Sequence, residues 1–268
     1  MTVQPPSANI VRACDALEDL IGAVIAAKGQ RARTFGQFEA PVEAEVLLRL
    51  VIRHVEAIIA LARSDLVLVP SAEVLNRAAL ETSLRIVWML HPDDDFAREA
   101  RWLAHLQEEE RLWERMFRVS RETGDAVGDY ASWAQRIFSF RAAVGAKLKE
   151  HCTVIAHIPS SRDILKEQGD ERRYLSYALL SQTVHGGHFA GSAFRRGLGT
   201  SKVIHERSFG REWPLQFRIA WWSLNRAAVR YVKVVCLPGV QLGRPEQHHE
   251  LEDALIAAEA DANGVGLE

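Results

Sequence analysis

The amino-acid sequence predicts an all-α fold, an antiparallel bundle of about seven to nine helices. Apolar residues recur at helical spacing along almost the whole chain of 268 residues. No convincing run of alternating apolar and polar residues requires a sheet. The connectors between the long helical segments are short, which favours antiparallel neighbours.

The predicted helices begin and end at recognisable residues. Pro41 begins the second helix, because proline suits the first turn of a helix and acidic residues follow it there. The dipeptide Pro70-Ser71 opens a central helix that stops at His91-Pro92. Aspartates at 93–95 cap the next helix, and the residues 65–70 are expected to form an extended link. The predicted helices cover, in order, about 9–28, 41–64, 70–91, 95–123, 129–151, a short segment after Ser160-Ser161, 170–185, 214–237 and 245–260.

Charge divides the chain into a mildly basic body and an acidic tail. All 33 basic residues lie within residues 1–245, together with 28 of the 35 acidic ones, which gives this part a formal charge of +5. The seven remaining acidic residues follow Arg244 without any basic residue. We therefore expect a single helical domain at 1–238 and an acidic C-terminal helix and tail at 239–268.

The cysteines and the N-terminus indicate the compartment. Cys14, Cys152 and Cys236 are odd in number and far apart, which argues against a disulfide framework and against a zinc site. Buried free thiols in a reducing compartment are the expected state. The N-terminal segment lacks a basic stretch followed by an apolar one, and charged residues interrupt every apolar run before it reaches the length of a membrane span. The sequence thus predicts a cytoplasmic protein without a membrane partner.

The central helix carries a charged pair that its pattern places in the core. Arg77 and Glu81 lie four residues apart, on a stripe with Val74, Leu84 and Trp88. The opposite stripe is apolar as well, and a helix that is apolar almost all round is typically packed on all sides. Because the burial of unpaired charges is costly, we expect polar groups of another helix to meet this stripe.

A second polar cluster follows about one hundred residues later. It comprises Tyr174, Tyr177, Ser181, His185 and His188. In a continuous helix Ser181 lies one turn before His185, and we expect this stripe to face Arg77 and Glu81. Two interpretations are open. The cluster is either a buried hydrogen-bond network that fixes the register of the bundle, or a site in which His185 beside a carboxylate acts as a general base.

Two further patterns suggest carboxylate or metal chemistry, and each has a simpler explanation. His185-Gly-Gly-His188 with Glu81 would supply ligands for zinc or iron, but a Gly-Gly pair after a helix is first of all a C-terminal stop. We therefore expect no metal and no cofactor. The run at 108–110 contains three glutamates, and Arg111 and Arg115 follow Glu108 at the spacing of ordinary surface pairs. This run is expected to be a solvated face.

A basic stretch runs from residue 195 to residue 218. Its basic residues oppose only two acidic ones, which gives +4, and its glycines and nearby aromatic residues suit a ligand with phosphates and bases. The alternative is that these residues bind the acidic tail or face solvent. A further expectation is that residues 245–261 cover the stretch and limit access to it. The basic residues are Arg195, Arg196, Lys202, Arg207, Arg211 and Arg218.

Two short motifs resemble those of a bacterial all-helical family. The motifs are Arg77-Ala-Ala-Leu-Glu81 and Ser181-Gln-Thr-Val-His185, and the resemblance covers residues 41–236. The family is uncharacterised and is grouped loosely with the HEPN and abortive-infection helical proteins of stress and phage defence. The resemblance implies a helical bundle and no established activity. HEPN ribonucleases carry an Arg followed, after four to six intervening residues, by a His, and the four such matches here are close to the number that chance provides.

These patterns lead to one expected function and one alternative. We expect a defence-related or regulatory protein, a homo-oligomer, that binds an anionic ligand such as RNA through residues 195–218 and also His188. If it is an enzyme, we expect metal-independent phosphodiester cleavage, with His185 as general acid or base and Arg77 stabilising the phosphate charge. Glu81 and Ser181 complete that predicted site. The alternative is a non-catalytic scaffold or oligomerisation protein in which the same residues are structural.

Overall fold

The computed structural model describes residues 3–124, 129–152, 157–186, 210–243 and 246–264. Within these ranges the chain forms nine α-helices and a few 3-10 turns, without a strand, so the predicted all-α bundle is confirmed. The helices are α1 (Ala8–Lys28), α2 (Glu39–Ser64), α3 (Val69–Met89), α4 (Asp95–Thr123), α5 (Tyr130–Leu148), α6 (Ser161–Glu167), α7 (Tyr174–Val184), α8 (Trp213–Val235) and α9 (Gln247–Gly264).

Local side-chain caps explain where several helices begin and end. The side chains of Ser7, Asp94, Asp129 and Ser160 each accept a hydrogen bond from the backbone N–H three residues on. Such bonds satisfy amides that have no partner inside the helix. At the other end, α4 is followed by Gly124 with φ 74°, the left-handed conformation that glycine adopts without strain.

α3 is the central element of the bundle, and it packs against α2, α4, α7 and α8. The short link between α2 and α3, expected to be extended, contains a 3-10 turn at Leu66–Leu68 instead. The turn forms because the side chain of Asp65 accepts a hydrogen bond from the backbone N–H of Val67. Trp88, Trp213, Phe217 and Tyr231 are the largest fully buried side chains of the core.

α3 is not packed on all sides, and this part of the prediction was wrong. Val74 is 45% exposed, and the side chain of Glu81 is 43% exposed. The reason is the length of the neighbouring helix α7, which has only 11 residues and covers only part of this edge of α3. Arg77, by contrast, lies under α7 with its side chain only 11% exposed.

α4 and α5 form a hairpin that extends beyond the bundle. No described residue of α4 after Glu110 is buried, which leaves about 20 Å of helix without a core to pack into. α5 buries only Ala134 and Leu148. It packs against α4 and makes no comparable contact with another described helix.

The acidic helix α9 returns to pack on α1 and α8. It buries Leu251, Ala254, Leu255 and Ala258, and Asn9 of α1 donates a hydrogen bond of 2.8 Å to Asp261. The three cysteines are free thiols, and burial raises the pKa of Cys14 to about 12. None of the described helices combines the length and the apolar character that a membrane crossing requires.

Candidate functional site

The polar stripe of α3 faces α7, as the sequence predicts. Arg77 Nη1 lies 2.7 Å from Glu81 Oε1, and the guanidinium carbon lies 3.4 Å from the centroid of the Tyr177 ring. The hydroxyl of Tyr177 donates a hydrogen bond of 3.1 Å to the same Glu81 oxygen. Arg77 of α3 and Tyr177 of α7 therefore contact each other, and both contact the same carboxylate oxygen of Glu81.

Arg77 is held mainly by stacking and by charge. Its Nε and Nη1 atoms are buried without a hydrogen-bond partner among the described residues, although Nη1 is within ion-pair distance of Glu81. The short distance thus reflects an ion pair whose angle is unsuitable for a hydrogen bond. The ring of Tyr177 covers one face of the guanidinium, a cation–π arrangement. That face is closed to a phosphate group.

One turn earlier, Glu73 extends the polar stripe of α3 towards α7 and α8. Thr183 donates a hydrogen bond of 2.5 Å to Glu73 Oε2, and the Gln216 amide donates one of 3.5 Å to Oε1. Asn76, fully buried beside it, donates to the backbone carbonyl and to the side-chain oxygen of Gln216. Burial raises the pKa of Glu73 above its ordinary value. This network ties three helices together.

The two remaining residues of the predicted catalytic group do not join the cluster. Ser181 donates its hydroxyl to the carbonyl of Tyr177, four residues earlier in its own helix. His185 follows the last residue of α7, where its backbone N–H caps the helix while its side chain is exposed. Its side chain forms no hydrogen bond with another described residue. Gly186 has φ 61°, the left-handed conformation that ends many helices.

Next to Glu81 a pocket of about 300 Å³ opens between α3, α4, α6 and α7. Glu108 lies in its wall and forms an ion pair of 2.9 Å with Arg85 of α3. Glu110 is buried and paired with Arg141 of α5 at 2.8 Å. The expectation that this glutamate run is only a solvated face was therefore wrong, because α3 and α5 supply partners that the local sequence does not show.

A second, smaller pocket of about 120 Å³ lies where α8 meets α9 and the 3-10 turn before α7. Arg173 lines it, with its guanidinium carbon 5.9 Å from the Trp222 ring. Its Nε is buried without a hydrogen-bond partner among the described residues, and no carboxylate there lies within ion-pair distance of it. The full lining is Arg173, Arg218, Trp221, Trp222, Asn225, His248, Leu251 and Glu252.

The described end of the basic stretch borders this second pocket. Arg218 is bound by two acids of α9, with Nε 3.0 Å from Glu252 and Nη1 2.6 Å from Glu259. Burial alone would lower the pKa of Arg218, but the hydrogen bonds to these carboxylates raise it. Arg211 is exposed. The other predicted ligand-binding residues, His188, Arg195, Arg196, Lys202 and Arg207, lie outside the described residues.

In comparisons with known proteins, no family model, no curated protein and no solved structure matches the chain. In the described ranges, no group of three His, Cys, Asp or Glu side chains is arranged to hold a metal ion. The chemistry of the two pockets must therefore be inferred from their own side chains.

Sequence reasoning missed three residues that the structure places at these sites. Glu73 precedes Arg77 by four residues, so helical spacing could have identified it. Tyr177 was part of the predicted polar cluster, but it was not assigned a role. Arg173 has no signal in the sequence, because its position beside Trp222 arises from the tertiary packing of the 3-10 turn before α7 against α8.

Proposed function

We propose that this protein binds an anionic ligand, RNA in particular, at the pocket between α8 and α9. The observation that carries the proposal is Arg173, a partly buried arginine that has no carboxylate partner among the described residues and lies beside Trp222. An arginine in such a position has free donors for a phosphate oxygen. The neighbouring indole offers a surface on which a base can stack.

The composition of the pocket suits a nucleotide. Trp221, Trp222 and His248 provide aromatic surface, and Asn225 provides both a donor and an acceptor. The volume of about 120 Å³ is small, so the pocket is suited to a phosphate group or to the edge of one base. A longer strand would continue across the exposed surface towards Arg211.

The Arg77 cluster is assigned a structural role in this proposal. A general base must lie within about 3 Å of the proton that it removes, directly or through one water. The exposed side chain of His185 forms no hydrogen bond with Arg77 or Glu81, and Tyr177 covers Arg77. Phosphodiester cleavage by these residues remains a separate prediction. It is tested when RNA incubated with the protein is analysed for cleavage products.

Fluorescence anisotropy with labelled single-stranded RNA of about 12 nucleotides tests the proposal. Arg173→Ala should raise the Kd about tenfold and should reduce the slope of log K against log salt by about 0.7, the value for one phosphate contact. Arg53→Ala is the matched control, because Arg53 is an exposed arginine of α2. A wild-type chain that binds no RNA, or a variant at Arg173 that binds like the wild type, would contradict the proposal.

A further inference from the structure

The α4–α5 hairpin exposes large apolar side chains on both helices. On α4, Leu112, Met116 and Val119 recur at intervals of four and three residues and form one stripe. On α5, Trp133 and Phe140 are seven residues apart and form another. These five side chains are between 41% and 48% exposed, whereas large apolar side chains in a bundle are normally buried.

The two stripes lie on the same side of the hairpin. The observed contacts between the helices fix their relative rotation: Trp113 stacks on Tyr130, and Glu110 is paired with Arg141. These two pairs define the face that each helix turns towards the other. Because successive side chains are rotated by about 100° around a helix axis, both apolar stripes then fall on one side of the hairpin. They form a single apolar surface, which we call the hairpin face.

The hairpin face is large enough to matter for association. With about 150–250 Å² available per large side chain, its exposed part amounts to roughly 400 Å² before flanking residues are included. A standard interface buries about 800 Å² on each partner. Two helices that protrude without a core gain stability when a second pair of helices covers their apolar surface. The face therefore supplies the apolar centre of an interface of ordinary size.

The charges beside the hairpin face favour a second copy of this chain as the partner. α5 contains Arg136, Arg141 and Lys147 and no acidic residue, whereas residues 108–122 of α4 hold five acidic and four basic residues. Arg136 is stacked on Trp133 and has no carboxylate partner among the described residues. Glu109, on the same side of the hairpin, has only the indole N–H of Trp113 as a partner within the described ranges.

We propose that two copies of this chain associate through their hairpin faces to form a four-helix bundle. In this arrangement α4 of each copy lies against α5 of the other, so Glu109 of one copy meets Arg136 of its partner. A two-fold axis repeats this pairing, so it occurs twice. Packing α5 on α5 would instead bring cations together, which is unfavourable. The proposal is independent of the RNA-binding pocket.

Sedimentation velocity of the full chain at micromolar concentration tests the association. The wild type should sediment as a dimer of 30.0-kDa chains. Leu112→Asp should raise the dimer dissociation constant at least tenfold. Leu50→Asp should leave it unchanged, because Leu50 is a leucine of α2 with 47% exposure, against 46% for Leu112. A monomeric wild type, or equal effects of the two variants, would overturn the proposal. Circular dichroism establishes that both variants are folded.

A charge exchange tests which helices meet. Arg136→Glu should weaken the dimer, because it places two acids opposite each other, and adding Glu109→Arg should restore most of the lost affinity. Both substitutions lie on exposed positions of the hairpin. If the double variant is as weak as the single one, or weaker, the pairing of α4 with α5 is wrong.

Discussion

Arg77 and Tyr177 allow a direct test of whether the polar cluster between α3 and α7 is structural. We consider Arg77→Ala, Tyr177→Ala and the double variant, together with Tyr177→Phe. The phenylalanine variant keeps the ring against the guanidinium and removes only the hydrogen bond to Glu81. The alanine variants remove the stacked pair from one side or from both. His185→Ala serves as the control on the same helix segment, because that side chain is exposed.

The structure allows the loss in the free energy of unfolding to be estimated for each variant. Because Arg77 is only 11% exposed, its stacking on Tyr177 is largely shielded from water and should contribute about 2 kcal/mol. The hydrogen bond to Glu81, whose side chain is partly exposed, should contribute about 1 kcal/mol. Tyr177→Ala should therefore destabilise the fold by about 3 kcal/mol, and Tyr177→Phe by about 1 kcal/mol. The double variant should be about 2 kcal/mol more stable than the sum of the single effects predicts.

Urea unfolding followed by circular dichroism at pH 7 measures these free energies. A coupling below about 0.5 kcal/mol would refute the stacked pair as a stabilising contact. The structural interpretation would also fail if Arg77→Ala left the stability unchanged and abolished RNA binding or cleavage. His185→Ala should leave the free energy of unfolding unchanged, so for that residue only an activity measurement separates the two roles.

Three further predictions concern other sites. Glu99 accepts the backbone N–H of Ala40 at the start of α2, and burial raises its pKa to about 6. In the unfolded chain the Glu99 carboxyl loses its proton near pH 4.5, whereas in the folded protein it keeps the proton up to about pH 6. The free energy of unfolding should therefore fall by up to about 2 kcal/mol as the pH rises through this range. Glu99→Gln should abolish this fall in urea titrations. Glu252→Gln with Glu259→Gln should free Arg218 and tighten RNA binding severalfold in anisotropy titrations, without removing the apolar contacts of α9. Tyr231→Phe removes a buried hydrogen bond of 3.0 Å to Glu45 and should lower the midpoint of urea unfolding, at a cost of about 1.5 kcal/mol.

Each of these has an outcome that would count against it. A pH profile of the Glu99 variant that runs parallel to the wild type would mean that this carboxyl does not bind the extra proton. Unchanged RNA affinity in the Glu252 and Glu259 double variant would exclude the tail as a cover of the pocket. If Tyr231→Phe unfolds at the urea concentration of the wild type, then the hydroxyl contributes nothing to the stability of the fold.

The helices were predictable because their signals are local. Periodicity and capping residues put the first helix at 9–28, and the structure has it at Ala8–Lys28. The aspartates at 93–95 were expected to cap the fourth helix, and Asp94 does so. The pairing of α3 with α7 was also predictable, since a buried arginine requires a polar neighbour.

The residues that meet across these helices were less predictable. Ser181 and His185 were expected to face Arg77, but the rotation of α7 brings Tyr177 into that position instead. Periodicity defines a stripe only to within a turn, and it does not show where a short helix ends relative to its neighbour. Arg173 and the exposed hairpin face depend on tertiary packing, which no local pattern encodes.

The most direct test of RNA binding at the pocket between α8 and α9 is an NMR titration of the tryptophan indole N–H signals with single-stranded RNA. The Trp222 signal is assigned by its loss in Trp222→Phe. RNA bound beside Arg173 should shift the Trp222 signal in proportion to saturation and should leave that of Trp113, on the distant hairpin, unchanged. A Trp222 signal that stays in place while RNA binds, or shifts no more than that of Trp113, would contradict RNA binding at this pocket.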